Sequence, residues 1–161
     1  MRLANIKIRT NVALASSFAI ALSSSGCAIS PTVPKLRAIS SEEKLMYAKL
    51  AIDAAREAGV PHDEFVKIIA HESAFRPDVR GAHGEYGLGQ IKCETARGVG
   101  FTGDCSQLLH GIINLKYSAR YYAIARKKCG NFEGALYLYN AGTASDCAGR
   151  NEYVRKVSAL R

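Results

Sequence analysis

Residues 60–75, VPHDEFVKIIAHESAF, impose the condition that the rest of the fold has to meet: a short amphipathic helix with a carboxylate on its apolar stripe. At about 100° per residue, Phe65, Ile68, Ile69 and Glu72 fall within roughly 100° of one another. Pro61 suits the first helical position, and Asp63 and Glu64 occupy the first turn, where the positive end of the helix dipole favours them. Glu72 lies at the opposite end. There the dipole disfavours a negative charge and partial burial disfavours it further, so both effects raise the carboxyl pKa. A carboxyl that keeps its proton near neutrality is what general acid catalysis needs. The ordinary alternative, a Glu72 solvated at a fraying helix end or paired with Arg76 at i+4, loses ground to the segments that follow.

The helix belongs to a chain of 161 residues whose start reads as an export signal. Arg2, Lys7 and Arg9 precede an apolar run from Val12 to Leu22, and small residues follow to Ala28. That run is shorter than the roughly twenty residues needed to cross a bilayer. Residues 1–28 are therefore expected to be a secretory signal, 29–40 an extended tether with Pro31 and Pro34, and 41–161 one domain. Cys27, in Ser24-Ser25-Gly26-Cys27, resembles a lipobox without its usual leucine. Lipidation of Cys27 and ordinary cleavage after Gly26 or Ala28 both fit.

Cys93, Cys105, Cys129 and Cys147 form an even set, which in an exported protein suggests two disulfides with three connectivities open. The local pairs, Cys93 with Cys105 and Cys129 with Cys147, are preferred because each closes a short glycine-containing segment. No Cys-x-x-Cys spacing occurs, and His62, His71, His83 and His110 form no ligand pattern with the cysteines, so neither metal nor cofactor is expected. Of the net charge of +8, three units lie in the signal, which leaves +5 on the mature part. Those charges are spread along helices rather than massed. They suit an anionic envelope polymer or membrane surface better than nucleic acid, for which no motif is present.

The mature part reads as mainly α. Ser40 or Ser41 can cap a helix from Glu42 to Ala58, with Leu45, Ala48, Ile52 and Ala55 facing inward and Gly59 as its stop. Pro77 blocks easy continuation of the Glu72 helix, and Gly81, Gly84, Gly87 and Gly89 then crowd into nine residues. The stretch GAHGEYGLGQIK lacks the ending of a P-loop and the spacing of a dinucleotide fingerprint. Its glycines fit positive φ angles and close backbone approach, at most a short β element. A short helix spans Glu94 to Arg97. Ser106 can cap a long helix to Lys128, with Leu108, Leu109, Ile112, Ile113, Leu115, Ala119, Tyr122 and Ala123 as its buried set. Asn131 and Asn151 cap the last two helices.

Three separated pieces stand out together: Glu72-Ser73-Ala74-Phe75, with Pro77 following; Gly87-Leu88-Gly89-Gln90-Ile91, followed by Thr95-Ala96; and Ala135-Leu136, leading to Tyr139-Asn140-Ala141-Gly142. In order and spacing, from Val60 to Val157, the sequence resembles the soluble lytic transglycosylase (SLT-type) catalytic domain, a goose-type-lysozyme-like family acting on peptidoglycan. The resemblance implies a lysozyme-like α fold. It places Glu72 at the catalytic acid/base, Ser73 as a substrate-side hydrogen-bond donor, Gln90 in the groove wall, and Gly87 and Leu88 in the adjoining turn. It also implies that the Tyr139 phenol can bond the carboxyl, that the Asn140 amide can face the glycan, and that Asn114 matches an asparagine common in the long helix. The sequence departs from the family pattern at Gly89, where a bulky residue is usual, at Cys93, where proline is usual, and at Tyr137-Leu138, where small alanines are usual.

The reaction implied is non-hydrolytic cleavage of the bond between N-acetylmuramic acid and N-acetylglucosamine, giving 1,6-anhydro-muramyl ends, with one glutamate acting first as acid and then as base. Two readings compete: a hydrolytic goose-type muramidase, and a non-catalytic glycan-binding protein of a secretion or pilus assembly. Glycosidases that use water work with two carboxylates, and Glu85, Asp78 and Glu94 are expected to be exposed. His71 points about 100° away from Glu72 on the helix and reads as structural. Tyr117, Tyr121 and Tyr122 read as core and rim. The partners implied are peptidoglycan strands and, for a single-domain member, envelope-spanning secretion, pilus or conjugation machinery. The place implied is the bacterial envelope or periplasm, with membrane attachment only through a lipid at Cys27.

Overall fold

The computed structural model describes residues 38–161, so the expected signal, Cys27 and all but the end of the tether lie outside the described residues. Six helices and one two-stranded sheet follow in order: α1 Ser41–Glu57, α2 His62–Ser73, β1 Glu85–Tyr86, β2 Ile91–Lys92, α3 Cys93–Gly98, a 3-10 turn Cys105–Leu109, α4 Gly111–Cys129, α5 Phe132–Ala141 and α6 Glu152–Ser158. The mainly α reading holds, and the small sheet pairs Glu85 with Lys92 and Tyr86 with Ile91 in antiparallel register. No helix among the described residues is long and apolar enough to cross a membrane.

The helix ends follow from local chemistry. Ser40 caps α1 through a capping box, its hydroxyl accepting from the Glu43 N–H while the Glu43 carboxylate accepts from the Ser40 N–H. Asn131 and Asn151 cap α5 and α6 by accepting from Gly134 and Val154. Pro61 is the residue before α2, one position earlier than expected. The helix stops at Ser73, ahead of Pro77, because Ala74 and Phe75 both turn into the left-handed region, with φ of 51° and 63°. Without glycine's freedom each costs on the order of 1–3 kcal/mol.

One core joins α1, α2, α4, α5 and α6 around Phe65, Ile68, Ile69, Leu115, Tyr122, Leu136 and Leu138. The inward face of α1 keeps Ala55 of the expected set but not Leu45. Ala51 and Ala55 are buried, Tyr47, Leu50, Ala54 and Ala58 pack beside them, and Leu45 is exposed. These alanines let α1 lie close against α2 and α4, so the stripe is set by what fits rather than by the largest side chain. Between α2 and α4, Glu64 accepts from the Tyr122 hydroxyl at 2.6 Å and from Arg126 at 2.8 and 3.2 Å.

The expected long helix from Ser106 is two elements, and Ser106 does not cap it. A continuous helix would give the Leu108 carbonyl to residue 112, but the Asn114 side chain takes it at 2.7 Å. Ile112, expected in the core, is consequently 65% exposed on the first turn of α4. Gly111 is required at the break, since a Cβ there would lie 2.6 Å from the Tyr47 ring. Both local disulfides are present, Cys93–Cys105 and Cys129–Cys147. The first ties α3 to the 3-10 turn, and the second ties the end of α4 to the loop after α5.

Candidate active site

Glu72 occupies the last turn of α2 and opens into a cleft of about 360 Å³. Burial dominates its chemistry and pushes the carboxyl up to about 7; a hydrogen bond from Tyr153 pulls it down, and the charge of Glu85 raises it further. The Tyr153 hydroxyl donates to Glu72 Oε1 at 2.7 Å from α6. Its ring is held edge-on by His71 at 5.1 Å between centroids. Burial, and then the charge of Lys156, lower the His71 pKa, so at neutral pH this ring is a neutral packing surface. Arg76 does not pair with Glu72, because its Nε donates to the Ser73 carbonyl at 3.0 Å.

Tyr139 does not bond the carboxyl. Its hydroxyl donates to the Gly89 carbonyl at 2.7 Å, which fixes the α5 end against the turn beneath the cleft. Burial, then the charge of Glu72, hold its pKa far above the ordinary phenol value, so it remains a donor. Tyr153 was not singled out in the sequence. Its only signal is the buried stripe it shares with Val154 and Val157, and nothing local marks a phenol that meets a carboxyl 81 residues away.

Gln90, Asn140 and Glu72 line the same cleft. Gln90 takes a φ of 46°, and its Nε2 donates to the Gly87 and Val79 carbonyls at 2.8 and 3.3 Å. Among the described residues, the three non-glycine residues in positive φ, Ala74, Phe75 and Gln90, all stand in the segments that frame this site. Asn140 is exposed at the end of α5, its Oδ1 accepting from Asn151 at 2.9 Å.

Ser73, expected as a substrate-side donor, and Leu88 and Asn114, which the family resemblance also singles out, do not face the cleft. Ser73 is only 2% exposed and donates to the Ile69 carbonyl at 3.3 Å, turned into the core by its helical position next to Glu72. Leu88 is fully buried in the main core. Asn114 is fully buried too, and it organises the glycine turn: its Oδ1 accepts from Gly89 N–H, and its Nδ2 donates to the Tyr86 and Leu108 carbonyls, each at 2.7 Å. Gly87 shapes the turn as expected, since a Cβ there would lie 2.6 Å from the Leu108 carbonyl oxygen and φ is 63°.

The arrangement is therefore a lysozyme-like helical domain with one proton-holding carboxyl in a cleft between a glycine-rich β wall and a helix end. A model of the transglycosylase SLT domain matches residues 49–157. The chain belongs to the SLT transglycosylase family. Among solved structures it is similar to the lytic transglycosylase Slt of Pseudomonas aeruginosa, determined as an inactive glutamate-to-glutamine mutant, at 25% identity and a TM-score of 0.55. That likeness covers 60% of this chain and 17% of the Slt chain. No curated protein matches it.

At Gly89 the space a side chain would need is filled: a Cβ would lie 2.3 Å from Ser118 Oγ and 3.0 Å from the Tyr139 hydroxyl. Tyr137 packs on the loop after α5, where a Cβ on Gly149 would lie 2.1 Å from its ring. Glu85, expected to be exposed, lines the cleft with Lys92 and His83, its side chain 21% accessible. Burial pushes its pKa up, but the N–H groups of its own residue and of His83, with Lys92, outweigh this and hold it below the ordinary value. Tyr121 also lines the cleft, while Tyr122 is core. No cluster that could hold a metal exists among the described residues.

Proposed function

We propose that this protein is a peptidoglycan lytic transglycosylase in which Glu72 serves as acid and then as base. The observation that supports it most is a carboxyl raised to about 7 that lines the cleft, with a phenol donor fixing one of its oxygens. Protonated Glu72 gives its proton to the oxygen linking N-acetylmuramic acid to N-acetylglucosamine, and the glycosidic bond breaks. The muramyl acetamido group stabilises the cation. The ionised Glu72 then takes the proton from the muramyl 6-hydroxyl as that oxygen closes on the anomeric carbon. No water is consumed, and Glu72 returns to its starting form. Gln90 and Asn140 contribute polar groups to the cleft walls, and Asn114 and Tyr139 hold those walls in place. The inactive glutamate-to-glutamine form of the Slt relative accords with a reaction that depends on one glutamate.

Digestion of purified sacculi with mass analysis of the products tests this reading. Anhydro-muramyl ends are expected from the parent and none from Glu72→Gln. The presence of Glu85 in the cleft gives the hydrolytic muramidase reading its one structural argument, because an ionised second carboxylate can activate water. Reducing muramyl ends alone would select it. For context, residues 1–28 act in this reading as an export signal to the envelope, in keeping with two disulfides. Attachment through Cys27, and service to a secretion, pilus or conjugation machine, are extensions of the same reading.

A further inference from the structure

His71 and Glu72 are neighbours on the last turn of α2, and both reach the same residue of α6. Consecutive side chains on a helix diverge by about 100° and do not face each other. Tyr153 meets both of them: its hydroxyl donates to Glu72 Oε1 at 2.7 Å, and its ring meets the His71 ring at 5.1 Å between centroids with 86° between the planes. The phenol is therefore held at two points, its tip and its ring. A hydrogen bond alone leaves a phenol free to swing about its acceptor within a broad range of angles. A second contact on the ring fixes the direction from which the hydroxyl arrives.

The surroundings of the pair leave His71 this one task. Its side chain is half-buried, so it fills no part of the main core. The backbone of α6 is already anchored by Val154 and Val157, both buried, and what His71 can set is the rotation of the Tyr153 ring itself. Burial, and then the charge of Lys156, keep the imidazole neutral, and Lys156 is in turn paired with Glu152 at 2.9 Å. A neutral ring is what an edge contact between aromatic groups requires. Phenylalanine can supply the same edge, whereas alanine, which keeps the helix, cannot.

Resting on the proposed glycan-cleaving function, we infer that His71 is a positioning residue for Glu72, acting through the Tyr153 ring to aim the phenol at Oε1. The test measures kcat and KM on soluble peptidoglycan strands, together with a carbon-13 NMR titration of the Glu72 carboxyl. In His71→Ala, kcat is expected to fall about fivefold, the worth of one aromatic edge contact, with KM unchanged. The Glu72 titration moves upward, because a phenol that favours the ionised carboxyl has been set loose. His71→Phe restores both readings. In a Tyr153→Phe background there is no hydroxyl to aim, so His71→Ala brings no further loss of kcat. Losses that multiply in the double variant, a phenylalanine that fails to rescue, or a titration that stays in place or moves downward each overturn the inference and leave the glycan-cleaving function standing. A parent that cleaves no strand overturns that function itself, and the inference with it.

Discussion

The Tyr153 hydroxyl donates to Glu72 Oε1 at 2.7 Å, joining the last helix of the domain to the end of its second. The bond favours the ionised carboxyl and so works against burial, which nonetheless prevails. In Tyr153→Phe the Glu72 pKa should rise further, moving the alkaline limb of the pH–rate profile upward, while kcat falls about tenfold for want of an oriented oxygen. A carbon-13 NMR titration of the Glu72 carboxyl in the two proteins is the direct check. An unmoved titration would show that the phenol does not hold the carboxyl in solution.

Glu72 also makes stability depend on pH. Its folded pKa, about 7, lies above the unfolded value of 4.5, so the favourable contribution of the protonated form is complete below pH 4.5 and lost as pH rises through 7. Glu72→Gln removes this liability. The variant should unfold at higher denaturant than the parent at pH 8, by at most about 3 kcal/mol, and the gap should close by pH 4. Urea titrations at the two pH values measure it, and an equal gap at both would exclude ionisation as its source.

Asn114 supports the turn on which the cleft rests. Asn114→Ala leaves the Gly89 N–H and the Tyr86 and Leu108 carbonyls without their partner. Unsatisfied buried groups of this kind cost on the order of 1–3 kcal/mol each, so a loss of about 3 kcal/mol or more is expected. Chemical denaturation gives the figure, and hydrogen exchange at Gly89 N–H locates the damage. Protection of that amide equal to the parent's would rule the bond out.

The fold was legible where one residue decides one element. Gly59 in the left-handed region follows the end of α1, and Asn131 and Asn151 open the helices they precede. The position of Glu72 on its stripe could be read too, because helical spacing alone fixes it. What could not be read were choices made between segments far apart. Asn114 withdraws the Leu108 carbonyl and breaks a helix that periodicity runs together. Tyr139 and Tyr153 are both phenols from the last two helices, and which of them reaches Glu72 depends on how α5 and α6 pack. Glu85 reads as a loop carboxylate until the sheet turns it into the cleft.

Gly89 and Ser118 are expected to be coupled. A Cβ on Gly89 would lie 2.3 Å from Ser118 Oγ and 2.6 Å from Ser118 Cβ, so Gly89→Ala forces the turn off α4 and should cost about 1–3 kcal/mol. Ser118→Gly vacates that space at its own helix-propensity cost of up to about 1 kcal/mol. In the double variant the alanine should be better tolerated than in the parent background. A double-mutant cycle measured by thermal unfolding reads the coupling; strict additivity would mean that the two side chains do not compete for the space.

The Cys129–Cys147 disulfide, with a sequence separation of 18, ties the loop that follows Asn140 and the end of α5 back to the end of α4. Closing a loop of that length stabilises a fold by about 3 kcal/mol through the unfolded chain. The loop has a second tie, since Lys128 Nζ donates to the Thr143 and Ser145 carbonyls at 2.8 Å each. Cys129→Ser with Cys147→Ser should therefore lower the melting temperature by several degrees while the cleft keeps most of its shape and activity below the transition. Adding Lys128→Ala to that pair removes the second tie, and a further drop in activity on sacculi is expected although Lys128 lies outside the cleft. Activity unchanged by the triple substitution would show that the α5 end holds the wall without help from this loop.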